Sequence, residues 1–225
     1  MRGENFLALS LARLGSQRVK HKNILKIYNK TLLDFTFAAG IKSKYLKEIF
    51  LSSESKKIIN IGKKIGFKIP FIRPKKLSKN DTSSESVILH ALKFIKKKYK
   101  YIIVLQPTSP LRTTNDIDKA IEIFLKKKYD SLVSVSVSNK VHKFNLKKKG
   151  DFIERDFKNT KVKKKNFYIN GAIYITKIKY FLKHKGFFNS KTGYYLMKKK
   201  DSLDIDDNID LQKLRKILKK NDKKN

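Results

Sequence analysis

The feature that most constrains this chain is an alternation. Short, almost wholly apolar runs are followed repeatedly by longer segments with a helical stripe. The clearest apolar run is YIIVLQ at residues 101–106. A strand with so little polar alternation is buried on both faces, as in a parallel sheet. Just before it, SESVILHALKFIKKK (84–98) places Val87, Ile88, Ala91, Leu92 and Ile95 on one stripe and reads as the strongest helix. FLALSLA (6–12), EIFLSS (48–53) and DSLVSVSVS (130–138) repeat the strand signal. LLDFTFAAGIK (32–42), SKKIINIGKKIG (55–66) and DIDKAIEIFLKKK (116–128) repeat the helical one, the last capped by Thr114 or Asn115. FKIPFI (67–72) is a short strand that Pro70 pushes toward a sheet edge. This rhythm predicts an α/β domain with a mostly parallel sheet.

The rhythm breaks after residue 138. Residues 139–165 are lysine-rich with short apolar pieces, VHKFNL and DFIERDF, and read as an inserted hairpin or a small subdomain. NFYINGAIYI (166–175) is again a strand, with a bend or bulge at Asn170–Gly171. A short helix (KYFLKH), a strand (TGYYLMK) and an amphipathic helix (DNIDLQKLRKILKK) complete the chain.

Charge and composition set limits on function. The formal net charge is +36, but only seven of the 55 cationic residues are arginine. The lysines are spread along the whole chain, as a solvated surface or a general compositional bias would spread them. No homeodomain, zinc-finger, KH or RRM signature accompanies them, so no specific nucleic-acid partner is expected. There are no cysteines, which excludes disulfides, thiolate zinc sites and cysteine nucleophiles. The four histidines are dispersed; His90 sits near a helical stripe and reads as packing, while His21 lies in a basic loop. No apolar run approaches the roughly 18 to 20 residues of a membrane span. MRGEN is a poor start for a signal peptide and no small-residue cleavage site follows FLALSLA, so a cytoplasmic location is expected.

Four segments carry chemistry. ARLGSQRVKHKN (12–23) leaves the first strand and gathers Arg13, Arg18, Lys20 and Lys22 around Gly15. Ligands of α/β sheets bind outside the carboxyl ends of the strands. Glycine permits close backbone approach, and the cations neutralise phosphate. The segment is neither a GxxxxGK[ST] loop nor a GxGxxG turn, and a plain basic surface loop has the same composition. LQPTSPLR (105–112) fixes a rigid turn with Pro107 and Pro110, able to present Gln106, Thr108, Ser109 and Arg112; a stiffened connection reads the same way. In SLDIDDNIDL (202–211), Asp204 and Asp206 flank Ile205, and residues two apart on extended chain share a side. Two hard carboxylates suit Mg²⁺ together with substrate phosphates. Asp207 or Asn208 is available to cap the last helix. NGAIY (170–174) presents an amide at Asn170, though a bare NG pair is more often a turn.

Together these segments resemble the N-acylneuraminate cytidylyltransferases, in order and over nearly the whole chain. FLSSES (50–55) and IPFIRPKKLSKNDTSS (69–84) extend the likeness between them. The resemblance implies a Rossmann-like fold and a homodimer built partly by an inserted dimerisation subdomain at about 139–168. It implies that CTP and a nonulosonic acid give a CMP-sugar and pyrophosphate. Carried over by position, Arg13, Gln17, Lys22 and Asn23 would hold the nucleotide and its phosphates. Arg73, Ser84 and Gln106 would complete that pocket. Asn170 would touch the sugar. Asp204 and Asp206 would bind Mg²⁺, with Asp204 favoured as acceptor of the sugar's proton. Gln17 stands where the family often has lysine. Thr160 and Lys161 replace an Arg-Gln pair, and Tyr168 replaces an arginine. These last positions lie toward the sugar, so the resemblance leaves the acid itself open. An enzyme for the eight-carbon 2-keto acid is the nearest alternative, but its usual Ala-Ser-Thr-Arg-Leu-Pro-Gly-Lys motif differs from GSQRVKHKN. A non-catalytic basic nucleic-acid binder is the alternative of a different class.

Overall fold

The computed structural model describes residues 5–95, 99–138, 145–155, 166–189 and 191–222. Its strands are β1 (Phe6–Leu11), β2 (Ile49–Ser52), β3 (Tyr101–Leu105), β4 (Ser131–Ser138), β5 (Asn145–Lys149), β6 (Phe152–Arg155), β7 (Asn166–Lys177) and β8 (Thr192–Leu196). Its α-helices are α1 (Leu32–Ile41), α2 (Lys56–Ile65), α3 (Ser84–Phe94), α4 (Thr114–Lys126), α5 (Ile178–His184) and α6 (Asn208–Asp222).

A strand that is apolar throughout must feed two cores, and β1 and β3 do. Phe6, Ala8, Ile103 and Leu105 pack on one face with α1, α2 and α4 through Leu33, Ile58, Ile117, Ile121 and Phe124. Leu7, Leu9, Ile102 and Val104 pack on the other with α3 and α5 through Ile88, Ala91 and Phe181. A third cluster joins Val19 and Ile27 to α6 through Leu211 and Leu214, with Ile205 between them.

The strands form one sheet in the order β2-β1-β3-β7-β4-β8-β6-β5. The α/β class holds, but the expected mostly parallel sheet does not. β1 pairs in parallel with β2 and β3, and β4 with β8. The pairings β3–β7, β4–β7, β5–β6, β5–β7 and β6–β8 are antiparallel. Direction was hidden because a strand buried on both faces looks alike in either sense.

The hairpin expected in the inserted segment exists as β5 and β6. It is not set apart from the sheet: β5 pairs with β7 and β6 with β8, so the far half of the sheet closes on itself. Residues 139–144 and 156–165, with Thr160 and Lys161, lie outside the described residues. The expected strand at 67–72 shrinks to one bridge, Lys68 to Phe50. Lys68 exchanges both backbone bonds with Ile49 and Leu51, and Pro70 has no N–H to continue the ladder. The cap of α4 is Thr113, not Thr114 or Asn115, because Thr113 finds a carboxylate three residues on. Its hydroxyl accepts from the Asp116 N–H, and Asp116 accepts from the Thr113 N–H.

β1 lies between β2 and β3, so the chain leaves β1 toward one neighbour and later returns to the other. The carboxyl ends of β1 and β3 therefore flank a topological switch point, where α/β sheets open a crevice.

Candidate active site

A cleft of about 310 Å³ opens at that point. Arg13, Gln17, Lys22 and Asn23 line it from the loop after β1, Arg73 and Ser84 from the segment that leads into α3, Gln106 from the turn after β3, and Asp206 from the segment before α6. Asn170 and Asp204 are not among its lining residues.

The loop is braced from beneath. The Asn23 amide Nδ2 donates to the Arg13 carbonyl at 3.0 Å, while its buried Oδ1 has no partner. Arg73 is 4 % exposed and donates through Nη2 to the Ala12 carbonyl and to Glu54 Oε2, both at 2.9 Å. Gly15 has no left-handed φ, and a side chain there would meet no protein atom within 4 Å. The fold itself therefore does not require glycine at this position; open space beside the cleft is what it leaves. Among the described residues, the backbone N–H groups of Gly15, Gln17 and Arg18 have no protein acceptor. Such N–H groups together with cations form an anion cradle.

The cations differ in how they are held. Arg13 Nη1 donates to the Lys79 carbonyl at 2.7 Å. Lys22 Nζ donates to the Ile205 carbonyl and lies 3.6 Å from Asp206 Oδ1. Arg18 Nη1 lies 3.7 Å from Asp206 Oδ2, with both side chains at least half exposed. The Arg18 pair, long and solvated, is weak and exchanges readily for a better anion, whereas Lys22 is largely buried and is held by the Ile205 carbonyl as well.

Segment 202–206 reaches the cleft because the Ile205 N–H donates to the Thr108 carbonyl at 2.8 Å. The two aspartates then differ sharply. Asp206 is exposed at the cleft edge. Asp204 sits near the β7 bulge, 3.9 Å from where a side chain on Gly171 would begin. Its Oδ1 is buried without a partner. Burial pushes its carboxyl up to about 6; the Thr108 hydroxyl opposes this, Asp206 adds to it and Lys22 offsets it. The last helix is capped by Asp207, whose Oδ1 accepts from the Asp210 N–H at 3.0 Å.

Asn170 stands where the bulge falls, at the register shift between Val133 and Val135 and beside Gly171 with φ 77°. It is 3 % exposed. Its Oδ1 accepts from Ser134 Oγ at 2.6 Å, and its Nδ2 donates to Ser202 Oγ at 3.0 Å and contacts Met197 Sδ at 3.2 Å. The amide is used up inside the protein, so in this structure Asn170 is a brace rather than a sugar contact. Arg112 is likewise buried, donating to the Gln106 and Ala172 carbonyls, both at 3.0 Å. It ties the turn after β3 to the bulge. Burial draws its guanidinium down to about 10, with Asp116 opposing.

Sequence reasoning missed Glu54, and it missed Lys79, Asn80 and Thr82, which wall the cleft ahead of α3. Glu54 carried a usable signal, an acid at the end of a strand. The other three carried none, being ordinary polar residues in a loop.

Open backbone donors and cations leave β1 at a switch point, faced by the start of a helix and an acidic edge, an arrangement of an α/β protein that suits an anionic ligand. More narrowly, the chain belongs to the cytidylyltransferase family, whose model matches residues 7–224. It is 32% identical over 213 residues to the N-acylneuraminate cytidylyltransferase of Escherichia coli, covering 92% of this chain but only 50% of that protein. It is 30% identical over 226 residues to the CMP-N,N'-diacetyllegionaminic acid synthase of Legionella pneumophila, covering 96% of this chain and 97% of that one. In fold it is similar to a CMP:2-keto-3-deoxy-manno-octonic acid synthetase complexed with CTP, with TM-score 0.76 and 12% identity over 97% of this chain and 100% of that one.

Proposed function

We propose that this chain transfers a cytidylyl group from CTP to the anomeric hydroxyl of a nonulosonic acid, giving the CMP-sugar and pyrophosphate. The observation that carries this reading is the meeting of Arg13, Gln17, Lys22, Asn23, Arg73, Ser84, Gln106 and Asp206 in one cleft from four separate segments. The relatives in Escherichia coli and Legionella pneumophila support it by name. They differ in the acid, so they support a class of acceptor and not one sugar.

The sugar oxygen attacks the α-phosphorus, the bond to the bridging oxygen breaks, and pyrophosphate leaves. No covalent enzyme intermediate is needed. Arg13, Arg18 and Lys22 neutralise the triphosphate, and the loop N–H groups orient it. Gln106 offers an amide to the base. Asp204 accepts the proton of the attacking hydroxyl when ionised; burial pushes its carboxyl up to about 6, which makes it a stronger base than an ordinary carboxylate. The donor set fits Mg²⁺: Asp204 has an orphaned buried oxygen and Asp206 an exposed carboxylate at the cleft. Asp204 and Asp206 would hold the ion, which when bound supplies charge neutralisation at phosphate oxygens and acidifies the attacking hydroxyl.

The test is pyrophosphate release with CTP and Mg²⁺ across a panel of nonulosonic acids, with the eight-carbon 2-keto acid as comparison. Release with at least one nonulosonic acid is expected. None, from folded protein, overturns the reading, and release with the eight-carbon acid alone replaces it. The reading includes a homodimer and a cytoplasmic location. No helix among the described residues is long and apolar enough to cross a membrane. A monomeric mass by light scattering removes the dimer from the reading.

A further inference from the structure

Beneath the loop lies a carboxylate that faces away from the cleft. Glu54 follows β2, and its side chain is 13 % exposed. Its Oε1 accepts from the Leu14 N–H at 2.8 Å. Its Oε2 accepts from Arg73 Nη2 at 2.9 Å. The same Arg73 nitrogen donates to the Ala12 carbonyl, and the Arg73 N–H donates to the Ser53 carbonyl at 2.9 Å. One carboxylate thus joins the end of β1, the first turn of the phosphate loop, the end of β2 and the arginine that walls the cleft opposite.

We propose that Glu54 is a positioning residue for nucleotide binding, fixing both the start of the loop at Leu14 and the guanidinium of Arg73. The inference rests on the reading of the cleft as a CTP site.

The chemistry of the two bonds gives it content. Both partners of Glu54 are donors, so both of its oxygens must accept. A carboxylate does this and an amide cannot, because its NH₂ would face either the Leu14 N–H or the Arg73 Nη2. Glu54 also compensates a guanidinium that would otherwise be a buried lone charge, a costly state. Burial alone would raise the Glu54 carboxyl. The bonds from Leu14 and Arg73 outweigh that and hold it below the ordinary range. Glu54 itself is not among the residues that line the cleft. Its influence must pass through Leu14 and Arg73.

The test is calorimetric binding of CTP, without acceptor, to the wild type and to Glu54→Gln. Hydrogen bonds to charged groups are strong enough that losing one of them should weaken CTP binding about tenfold. In turnover, KM for CTP should rise by a like factor while KM for the acceptor acid stays unchanged, a split that general destabilisation does not produce. Equal CTP affinity in the two folded proteins overturns the inference. Failure of the wild type to bind CTP overturns the reading of the cleft instead. If Glu54→Gln does not fold, Glu54→Asp decides. Its retained charge on a shorter arm reaches one partner only, so weakened CTP binding supports the inference and wild-type binding overturns it.

Discussion

Two polar clusters lie at the carboxyl side of the sheet, and they are built in opposite ways. The loop after β1 holds Arg18 in a long, largely exposed pair with Asp206 at 3.7 Å, keeps Lys22 at 3.6 Å from the same carboxylate and leaves backbone donors open. The bulge in β7 buries Asn170 and satisfies both ends of its amide with bonds of 2.6 and 3.0 Å. A polar group already satisfied in a dry site gains little by meeting a ligand. One held loosely at a water-filled cleft can exchange partners at small cost. The loop is therefore poised for an anion, and the bulge serves to hold Gly171 and Ala172 against Asp204 and Arg112.

This contrast can be broken most forcefully at Asp206. Asp206→Ala should lower kcat by roughly a thousandfold or more, since it removes a carboxylate proposed to hold the ion at the transferring phosphate. Urea denaturation should find its stability within about 0.5 kcal/mol of wild type, as for most exposed positions. Asn170→Ala should do the reverse. It leaves the buried Ser134 hydroxyl without its acceptor and takes the amide donor from Ser202, which keeps its own bond to the Lys198 carbonyl, and unfolding curves should show a loss of about 1 to 3 kcal/mol. If Asn170→Ala keeps its stability and loses only acceptor affinity, the bulge amide is a ligand contact after all.

Asp204 sharpens the comparison because it sits at the bulge while Asp206, two residues on, lines the cleft. Its folded pKa, about 6, is above the ordinary carboxylate value. The folded state thus binds this proton more tightly than the unfolded state does. Its contribution to stability is full below about pH 4 and is lost as pH rises through about 6. Asp204→Asn removes that loss. In chelator, its stability at pH 7 should exceed wild type by about 2 kcal/mol, with no gain at pH 4. Thermal melts at the two pH values check this, and a pH-independent difference would refute the burial account. The smallest effect is expected at Gln17. Gln17→Lys adds a cation at the cleft mouth and should lower KM for CTP about threefold at low salt, less at high salt.

Much of the site was legible in the sequence because its parts are local. A basic loop after a strand, a proline-framed turn and a D-x-D pair announce themselves within a dozen residues. The residues that were misread or missed depend on contacts across the fold. Asn170 looks the same in sequence whether its amide faces solvent or Ser134 and Ser202, 36 and 32 positions away. Arg112 looked like a displayed cation and is a buried brace to Ala172. Glu54 matters only because Leu14 and Arg73 arrive at its two oxygens from opposite sides in sequence.

By itself the sequence determined the elements, their apolar faces and the position of the loop after β1, because periodicity and capping act over a few residues. It also determined the supply of cations and the two aspartates near the last helix. Only the tertiary structure decided that β7 runs antiparallel between β3 and β4, that β5 and β6 close the far half of the sheet, and that Asp206 faces the cleft while Asp204 is drawn toward the bulge. Strand direction, closure and burial are properties of pairings between distant residues. An apolar strand or a pair of aspartates carries no local mark of the partner it will meet.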